Sequence, residues 1–309
     1  MGKLTVENVQ VLIVGAGIAG IAAAVWCKRL GLTAVCIERS DHIGGQLQQI
    51  HNEIWDYPPK TYANGAAFLQ ELKAFAASAE VDCRLNEALI AIDISQKRVV
   101  TEKQTYQVEY VILATGVKQN QLSSLAGSSI VLPPSFSTTT HGAKLAGKRI
   151  LIIGGGDRAF ESAYNLSEYA RHIWIAVRGS RLRARPEWTK RLSSRSNVTL
   201  FMETELLRTA EEHTPRGVFL QIQGRVEPLF LPVDWVLPRI GVRGNSDEVP
   251  GLSRYGEGFL LTNTFQETSI PWIYAVGDVT NGAAYASLSL AAGQAMRATK
   301  HISQQLKKG

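Results

Sequence analysis

The sequence predicts an α/β protein built from two doubly wound domains, and three observations support this prediction. The chain has 309 residues, of which 45% are hydrophobic, and this is enough for about two domain cores. Residues 9–25 (VQVLIVGAGIAGIAAAV) are echoed by residues 148–164 (KRILIIGGGDRAFESAY). Each copy is an apolar strand-like run, a glycine turn and the start of a helix. Two further apolar runs end in glycine, at 110–116 (YVILATG) and 272–282 (WIYAVGDVTNG).

These runs also predict the domain boundaries. We expect a discontinuous first domain over residues 1–117 and 246–309. A second domain, residues 118–245, would be inserted between its two parts. The stretch after residue 282 is rich in small residues and is expected to form a final helix.

The glycines of each repeat predict a Rossmann-like dinucleotide site. In the first copy, Gly15 permits the tight turn, Gly17 lets backbone N–H groups approach a pyrophosphate, and Gly20 permits close packing of helix on strand. The N-terminus of the following helix then stabilises the phosphate charge. In the second copy the same positions are Gly154, Gly156 and Ala159.

The residues after the second strand of each repeat indicate which ribose is bound. In the first copy the strand ends at Glu38, whose carboxylate can accept from both ribose hydroxyls and repels a 2′-phosphate. That site suits the adenosine diphosphate part of FAD or NAD. The second copy has no acid at this point but Arg178, Arg181 and Arg183, which suit bidentate phosphate binding and favour NADP.

The charge pattern leaves two interpretations open. The net charge is +6, and residues 178–195 contain seven basic side chains against one acid, Glu187. This run either binds the cofactor phosphate or forms a surface that docks an acidic partner.

Other composition signals are mainly negative. The three cysteines form no CxxC pair, and we expect them to be small buried side chains rather than a disulfide scaffold or a zinc site. No metal-binding cluster is expected. The apolar run at 11–27 has no basic n-region and no cleavage site, so we expect a cytoplasmic protein with no membrane or nucleic-acid partner.

Taken together, the motifs resemble a known family. The chain is similar to the two-dinucleotide-domain flavoprotein reductases, specifically the low-molecular-weight thioredoxin reductase-like branch. The resemblance rests on the order and spacing of GAGIAG, GGQL (44–47), ATG (114–116), GGGDRAFESA (154–163), RGSRLRA (178–184), GD (277–278) and YASLSLAAG (285–293). It implies that the first glycine loop holds FAD and the second holds NADPH, and that the protein is a homodimer.

The resemblance also implies roles for individual residues. Those implied for FAD are Gly15, Gly17, Gly20, Glu38, Gly45, Gln46, Asp56, Thr115, Gly116, Gly277, Asp278, Ser287 and Leu288. Those implied for the second nucleotide are Gly154, Gly156, Ala159, Arg178 and Arg183. Arg158 and Arg181 are further candidates for that site, although they do not match the family pattern.

One departure from the family concerns the redox disulfide. Thioredoxin reductases carry CxxC followed by Asp-Gly shortly before the second glycine loop. Here that place is occupied by Ser137–Gly142 (STTTHG), with Ser137 and Thr140 where the sulfurs would be and His141 where the acid would be. Hydroxyls cannot form a disulfide, so disulfide reduction at this place is excluded. His141 is either a solvated loop histidine or a proton donor to flavin or substrate.

A second departure concerns the second nucleotide. One arginine of the family's NADP motif is missing, and Arg158 places a long cation inside the phosphate loop. NADP(H) is therefore expected, but another nucleotide, including a second FAD, remains an alternative.

These observations lead to one expectation for function and two alternatives. We expect an FAD-dependent NAD(P)H oxidoreductase without a redox disulfide, which passes electrons directly to an external acceptor such as ferredoxin or flavodoxin. The alternatives are a flavoprotein whose second site has lost NADPH, and a non-catalytic flavin-binding regulatory module.

Overall fold

The computed structural model describes residues 6–308, and these form two compact units. The first unit extends to Lys118 and resumes at Val242, and the second is Gln119–Gly241. Both are built around parallel sheets, so the predicted α/β class with two Rossmann-like domains, one of them discontinuous, is confirmed. Over residues 6–308, no helix combines the length and the apolar character needed to cross a bilayer.

The elements are numbered in chain order. The strands are β1 (Val6–Val14), β2 (Ala34–Ile37), β3 (Cys83–Arg84), β4 (Leu89–Asp93), β5 (Arg98–Thr101), β6 (Thr105–Leu113), β7 (Val117–Gln119), β8 (Arg149–Ile153), β9 (His172–Ala176), β10 (Val198–Phe201), β11 (Thr204–Ala210), β12 (Gly217–Ile222), β13 (Leu229–Pro232), β14 (Trp235–Pro238), β15 (Val242–Gly244), β16 (Arg254–Tyr255), β17 (Phe259–Leu260) and β18 (Ile273–Ala275). The α-helices are α1 (Ile18–Arg29), α2 (Gly65–Ser78), α3 (Thr138–His141), α4 (Asp157–Leu166), α5 (Pro186–Leu192), α6 (Asp278–Asn281) and α7 (Leu288–Leu306).

The main sheet of the first unit places four strand ends side by side. Strands β3, β2, β1 and β6 are parallel neighbours in that order. The far edge of β6 is shared, because β18 pairs with its C-terminal half in parallel and β5 pairs with its N-terminal half antiparallel. The register aligns Val14 with Ile37 and Leu113, and Leu113 with Ala275. The carboxyl ends of β2, β1, β6 and β18 therefore lie together, which is where ligands bind in such sheets.

Small residues let two helices pack closely over this sheet. Helix α1 buries Ala19, Ala23 and Ala24, and helix α7 buries several small residues along one face. The alanines of both helices belong to one core cluster with Val11 and Ile13 of β1. The predicted C-terminal helix of small residues is therefore present.

The second unit repeats the arrangement in a smaller form. Its parallel sheet has the order β10-β9-β8-β14, and the register aligns Ile153 with Ala176 and with Pro238. A separate antiparallel sheet is formed by β11, β12 and β13. The chain turns from β8 through the second glycine loop into α4, as the repeat in the sequence predicts.

Candidate dinucleotide sites

The first glycine loop shows a different constraint at each glycine. Gly15 has φ +103°, and a Cβ there would lie 2.5 Å from the carbonyl oxygen of Ala114. A Cβ on Gly20 would lie 1.8 Å from the carbonyl oxygen of Gly15. A Cβ on Gly17 would meet no atom within 4 Å. The turn and the helix packing thus require Gly15 and Gly20 for the fold, whereas Gly17 leaves open space at the start of α1.

Glu38 is fixed beside this loop at the end of β2. Its Oε2 accepts a hydrogen bond from the Ala16 amide at 2.8 Å, and its Oε1 accepts from the Ser40 amide at 2.9 Å. The residue is only 9% exposed. Each carboxylate oxygen retains a further acceptor position, so the geometry suits a ligand hydroxyl at the end of β2.

The GGQL segment approaches the same loop. Gly45 has φ +54°, and a Cβ there would lie 3.4 Å from Gly17 Cα. A Cβ on Gly116 would lie 3.6 Å from Nε2 of Gln46. The structure thus brings Gly17, Gly45, Gln46 and Gly116 together at the carboxyl edge of the sheet.

Thr115 is held by a residue that the sequence analysis missed. Its Oγ1 donates to the carbonyl oxygen of Asn245 at 2.5 Å, and Asn245 Nδ2 donates to the carbonyl oxygen of Thr115 at 3.1 Å. The Asn245 amide also donates to the carbonyl oxygen of Gly116 at 3.0 Å. Asn245 Oδ1 is buried without a hydrogen-bond partner in the described part of the chain. Asn245 thus fixes the turn after β6 and presents an unused acceptor.

Two more buried polar atoms without partners lie on α6. Asp278 Oδ1 and Asn281 Nδ2 make no hydrogen bond with any described residue. The Gly277 amide donates to Gln294 Oε1 at 2.8 Å, and Gln294 Nε2 donates to Asn281 Oδ1 at 2.7 Å. Burial raises the pKa of Asp278, and the Ser287 amide and the neighbouring Asn281 side chain act in the opposite direction. An unpaired acceptor and an unpaired donor on one helical turn suit a ligand that carries hydroxyl groups.

The start of α7 contacts the segment around Asp56. Ser287 is the N-cap, and its Oγ accepts from the Leu290 amide at 3.4 Å. The Ser289 hydroxyl donates to the carbonyl oxygen of Asp56 at 3.2 Å, while the Asp56 side chain is exposed. Leu288 packs against the core of the unit. Asp56, Ser287 and Leu288 therefore lie in one region of the first unit.

In the second glycine loop, as in the first, one glycine has no room for a side chain and another faces open space. Gly154 has φ +141°, and a Cβ there would lie 2.2 Å from the carbonyl oxygen of Arg239. A Cβ on Gly156 would meet no atom within 4 Å. Ala159 is fully buried in the core of the second unit. Gly156 therefore leaves open space at the start of α4, in the position that Gly17 takes at α1.

Four arginines without acidic partners lie at the start of α4 or in the segment that follows β9. That segment folds onto the second glycine loop, because the amides of Arg183 and Ala184 donate to the carbonyl oxygen of Gly155 at 2.8 and 2.9 Å. Among residues 6–308, none of these four side chains forms an ion pair, and all are exposed: Arg158, Arg178, Arg181 and Arg183. Their positive charge is not neutralised by neighbouring carboxylates, as an anion site requires.

Arg185 differs from those four and was not singled out from the sequence. Its amide and its Nε donate to the two carboxylate oxygens of Asp157, each at 2.7 Å. Its NH1 lies 3.3 Å from Oε1 of Glu187. Asp157 is the first residue of α4, where its charge would oppose a bound phosphate. Arg185 neutralises the negative charge of Asp157 and holds its carboxylate in one orientation.

Comparison with known proteins agrees with this arrangement. The model of the pyridine nucleotide-disulphide oxidoreductase family matches residues 9–301. The chain belongs to this family. A ferredoxin–NADP reductase of Sulfolobus acidocaldarius is 29% identical over 286 residues, which cover 89% of this chain and 86% of the relative. A thioredoxin reductase of Listeria monocytogenes is 26% identical over 87% of this chain and 85% of the relative. The solved thioredoxin reductase of Lactococcus lactis has the same fold, with a TM-score of 0.81, 22% identity, and coverage of 97% of this chain and all of that one.

As a member of the pyridine nucleotide-disulphide oxidoreductase family, the protein is an FAD-dependent oxidoreductase. The residues of the first unit fit that cofactor. Open space at Gly17, the fixed carboxylate of Glu38 and the unpaired atoms of Asp278 and Asn281 match the needs of a pyrophosphate, a ribose and a polyhydroxyl chain. We propose these residues as FAD ligands.

Substituting asparagine for Asp278 is expected to raise the thermal stability of the protein without FAD and to weaken FAD binding. Because the folded-state pKa is raised, the ionised carboxylate destabilises the fold at neutral pH, and this cost disappears below about pH 4. D278N without FAD should therefore unfold at a higher temperature than the wild type at pH 7, with no difference at low pH. Its FAD affinity should fall about 10- to 100-fold, because a charge-assisted hydrogen bond is lost.

Thermal unfolding at several pH values and FAD titration measure both effects. E102Q is the matched control, because it changes an exposed carboxylate in the same unit that forms no ion pair among the described residues. Unchanged FAD affinity in D278N would remove Asp278 from the proposed site.

The segment Ser137–Gly142, where the resemblance places the family's disulfide, has a structural role in this chain. Ser137 caps α3, and its Oγ accepts from the Thr140 amide at 3.2 Å. The Thr138 hydroxyl accepts from Asn165 Nδ2 at 3.2 Å. His141 is exposed, and its Nδ1 lies 3.4 Å from the hydroxyl of Thr140. The hydroxyls here serve the local fold, and an acid–base role for His141 stays a prediction. Among the described residues, no group of three His, Cys, Asp or Glu side chains suits a metal ion.

Proposed function

We propose that this enzyme transfers reducing equivalents from NADPH through FAD to an external redox protein, without a disulfide relay beside the second glycine loop. The observation that carries this proposal is the replacement of that disulfide by Ser137 and Thr140, whose hydroxyls cap and connect helices. The Sulfolobus relative named a ferredoxin–NADP reductase supports the same type of reaction.

Bound FAD would supply the chemistry, since a flavin accepts a pair of electrons from a nicotinamide and passes them on. The residues proposed to hold it have separate tasks. Glu38 would hold the ribose, Asp278 and Asn281 the polyhydroxyl chain, and Gln294 would keep Asn281 in its orientation. Gly17 would admit the pyrophosphate at the N-terminus of α1.

Preference for NADPH over NADH would come from the arginines of the second unit. Arg178, Arg181 and Arg183 follow β9, where the family reads the ribose, and lack ion-pair partners among the described residues. A 2′-phosphate would accept charge-assisted hydrogen bonds from these guanidinium groups.

The acceptor proposed is an acidic electron carrier of the ferredoxin or flavodoxin type. The net charge is +6 and the sequence pI is about 9.2. Opposite charge steers such a partner and accelerates association at low ionic strength. We also propose that the enzyme is a homodimer, as the resemblance implies, and that it is cytoplasmic.

Reduction assays with the FAD-reconstituted protein test this function. NADPH added without oxygen should bleach the flavin absorbance, and ferredoxin or flavodoxin should then support cytochrome c reduction at a rate that falls as salt rises. Thioredoxin with a chromogenic disulfide should give no turnover. Turnover with thioredoxin and none with either carrier would contradict the proposal.

A second candidate function rests on Arg158. This exposed cation at the second residue of α4 adds to the charge around the phosphate loop, and a second FAD would bring a pyrophosphate to it. Counting the FAD released on denaturation separates the candidates: one FAD per chain supports the NADPH site, and two support a protein with two flavins.

A further inference from the structure

Two of the three cysteines lie opposite each other on neighbouring strands. Cys36 on β2 pairs directly with Cys83 on β3 in the parallel ladder. Paired strands are about 4.8 Å apart, and disulfides usually join residues whose Cα atoms are about 4.4 to 6.8 Å apart. Directly paired residues also project from the same face of a sheet. The register therefore places the two Cα atoms at a separation within the range that disulfides span.

The two thiols differ in exposure. Cys36 is fully buried, and its Sγ lies 3.7 Å from the carbonyl oxygen of Gly15. Cys83 is half-buried and lines a cavity of about 310 Å³ together with Asp41, His42 and Lys73. A small polar reagent in that cavity reaches Cys83 before Cys36.

The contact between the two thiols also makes Cys83 the more reactive of the pair. The Cys36 thiol interacts with the Cys83 sulfur, and this contact lowers the pKa of Cys83 although burial opposes it. The same contact, followed by burial, raises the pKa of Cys36 well above its ordinary value. The thiolate is the reactive form of cysteine. Cys83 is therefore suited to attack an oxidant, and Cys36 is suited to react afterwards with the oxidised Cys83.

Cys27 provides a comparison within the same unit. It lies in α1 with no exposed surface, and burial raises its pKa to about 12. Nothing in its surroundings makes it reactive, so it should stay reduced when the other two react.

We propose that Cys36 and Cys83 form a thiol redox site, separate from the family's disulfide position, which hydrogen peroxide oxidises to an intramolecular disulfide. The Cys83 thiolate attacks one peroxide oxygen, the O–O bond breaks, and hydroxide leaves and takes up a proton to form water. The Cys36 sulfur then attacks the Cys83 sulfenic acid, the S–S bond forms, and the hydroxyl leaves as water with the Cys36 proton. Two thiols lose two electrons in total, and one peroxide is reduced to two waters.

The site lies beside the proposed cofactor loop without being part of it. Cys36 is two residues before Glu38, and its sulfur touches the backbone of Gly15. Disulfide formation would link β2 to β3 next to the carboxylate proposed to hold the ribose. This inference is independent of the electron acceptor, so either proposal can fail alone.

Thiol counting in the FAD-reconstituted protein tests the proposal. After treatment with one equivalent of hydrogen peroxide and denaturation, the titratable thiols should fall from three to one, and peptide mapping should find Cys36 linked to Cys83. C27A should fall from two thiols to none. C36S should instead accumulate a sulfenic acid at Cys83 that dimedone traps, and C83S should keep both remaining thiols.

Three free thiols after peroxide treatment of the wild type would overturn the proposal. So would oxidation of Cys83 to the sulfinic acid with Cys36 still free, or a disulfide between two chains. The measurement on the wild type decides the matter even if a serine variant fails to fold.

Discussion

Substituting alanine for Gly20 should destabilise the first unit strongly, whereas the same change at Gly17 should leave the fold intact and weaken FAD binding. The added Cβ of G20A would lie 1.8 Å from the carbonyl oxygen of Gly15, a backbone atom that cannot move without opening the turn. We expect a loss of about 3 kcal/mol in the free energy of unfolding, even though alanine favours a helix by about 1 kcal/mol. In a unit of this size that corresponds to a melting temperature lower by roughly 10 °C.

G17A is the matched variant because its methyl group enters empty space. Gly17 has φ −71°, which alanine adopts freely, so the melting temperature without FAD should change little. The FAD dissociation constant should rise about 100-fold, because the methyl group occupies the place where backbone N–H groups approach the pyrophosphate.

Thermal unfolding with and without FAD, together with FAD titration, measures the difference between the two variants. Equal FAD affinity in G17A and the wild type would show that the pyrophosphate does not lie over this loop. A G20A protein as stable as the wild type would show that the turn relaxes at little cost.

The sequence predicted the features that depend on local spacing. The glycine loops follow their strands and open helices because the turn, the strand end and the helix start are neighbours along the chain. The position of Glu38 at the end of β2 was predictable for the same reason, since a parallel strand after the first helix returns to the same sheet edge. Its role toward a ribose stays a prediction. The structure places it within 2.8 Å of the Ala16 amide.

Features that depend on distant parts of the chain could not be predicted in this way. Asn245 is 130 residues from Thr115, and no local pattern marks it as the partner of that turn. Asn281 and Gln294 likewise read as ordinary helix residues until their side chains are seen to meet. The three-stranded antiparallel sheet of the second unit also went unpredicted.

The cysteines show the same limit in another form. Cys36 and Cys83 were expected to be small buried side chains, and the structure places them on β2 and β3. Their direct pairing depends on the register between two strands, which the sequence pattern leaves open. Cys83 is also only half-buried, because it lies beside a surface cavity.

Replacing Arg178 and Arg183 together by glutamine should weaken NADPH binding selectively. Each charge-assisted hydrogen bond to a phosphate contributes about 1.5 to 3 kcal/mol, so the loss of two should raise the KM for NADPH at least about 100-fold in R178Q/R183Q. The KM for NADH should stay within about twofold, because NADH has no 2′-phosphate to lose. Steady-state rates with each nucleotide, at saturating acceptor, measure both values.

R195Q is the control for charge alone, since Arg195 is in the same basic run but lies 3.5 Å from Glu168 and over the ring of Tyr164. It should leave the KM for NADPH unchanged. Steady-state rates of the same variants with ferredoxin varied, at saturating NADPH, decide between the two interpretations of the basic run. A KM for ferredoxin that rises in R178Q/R183Q while the KM for NADPH does not would identify the run as a docking surface. A KM that rises for NADPH but not for NADH or ferredoxin would assign these arginines to the 2′-phosphate, because only that group distinguishes the two nucleotides.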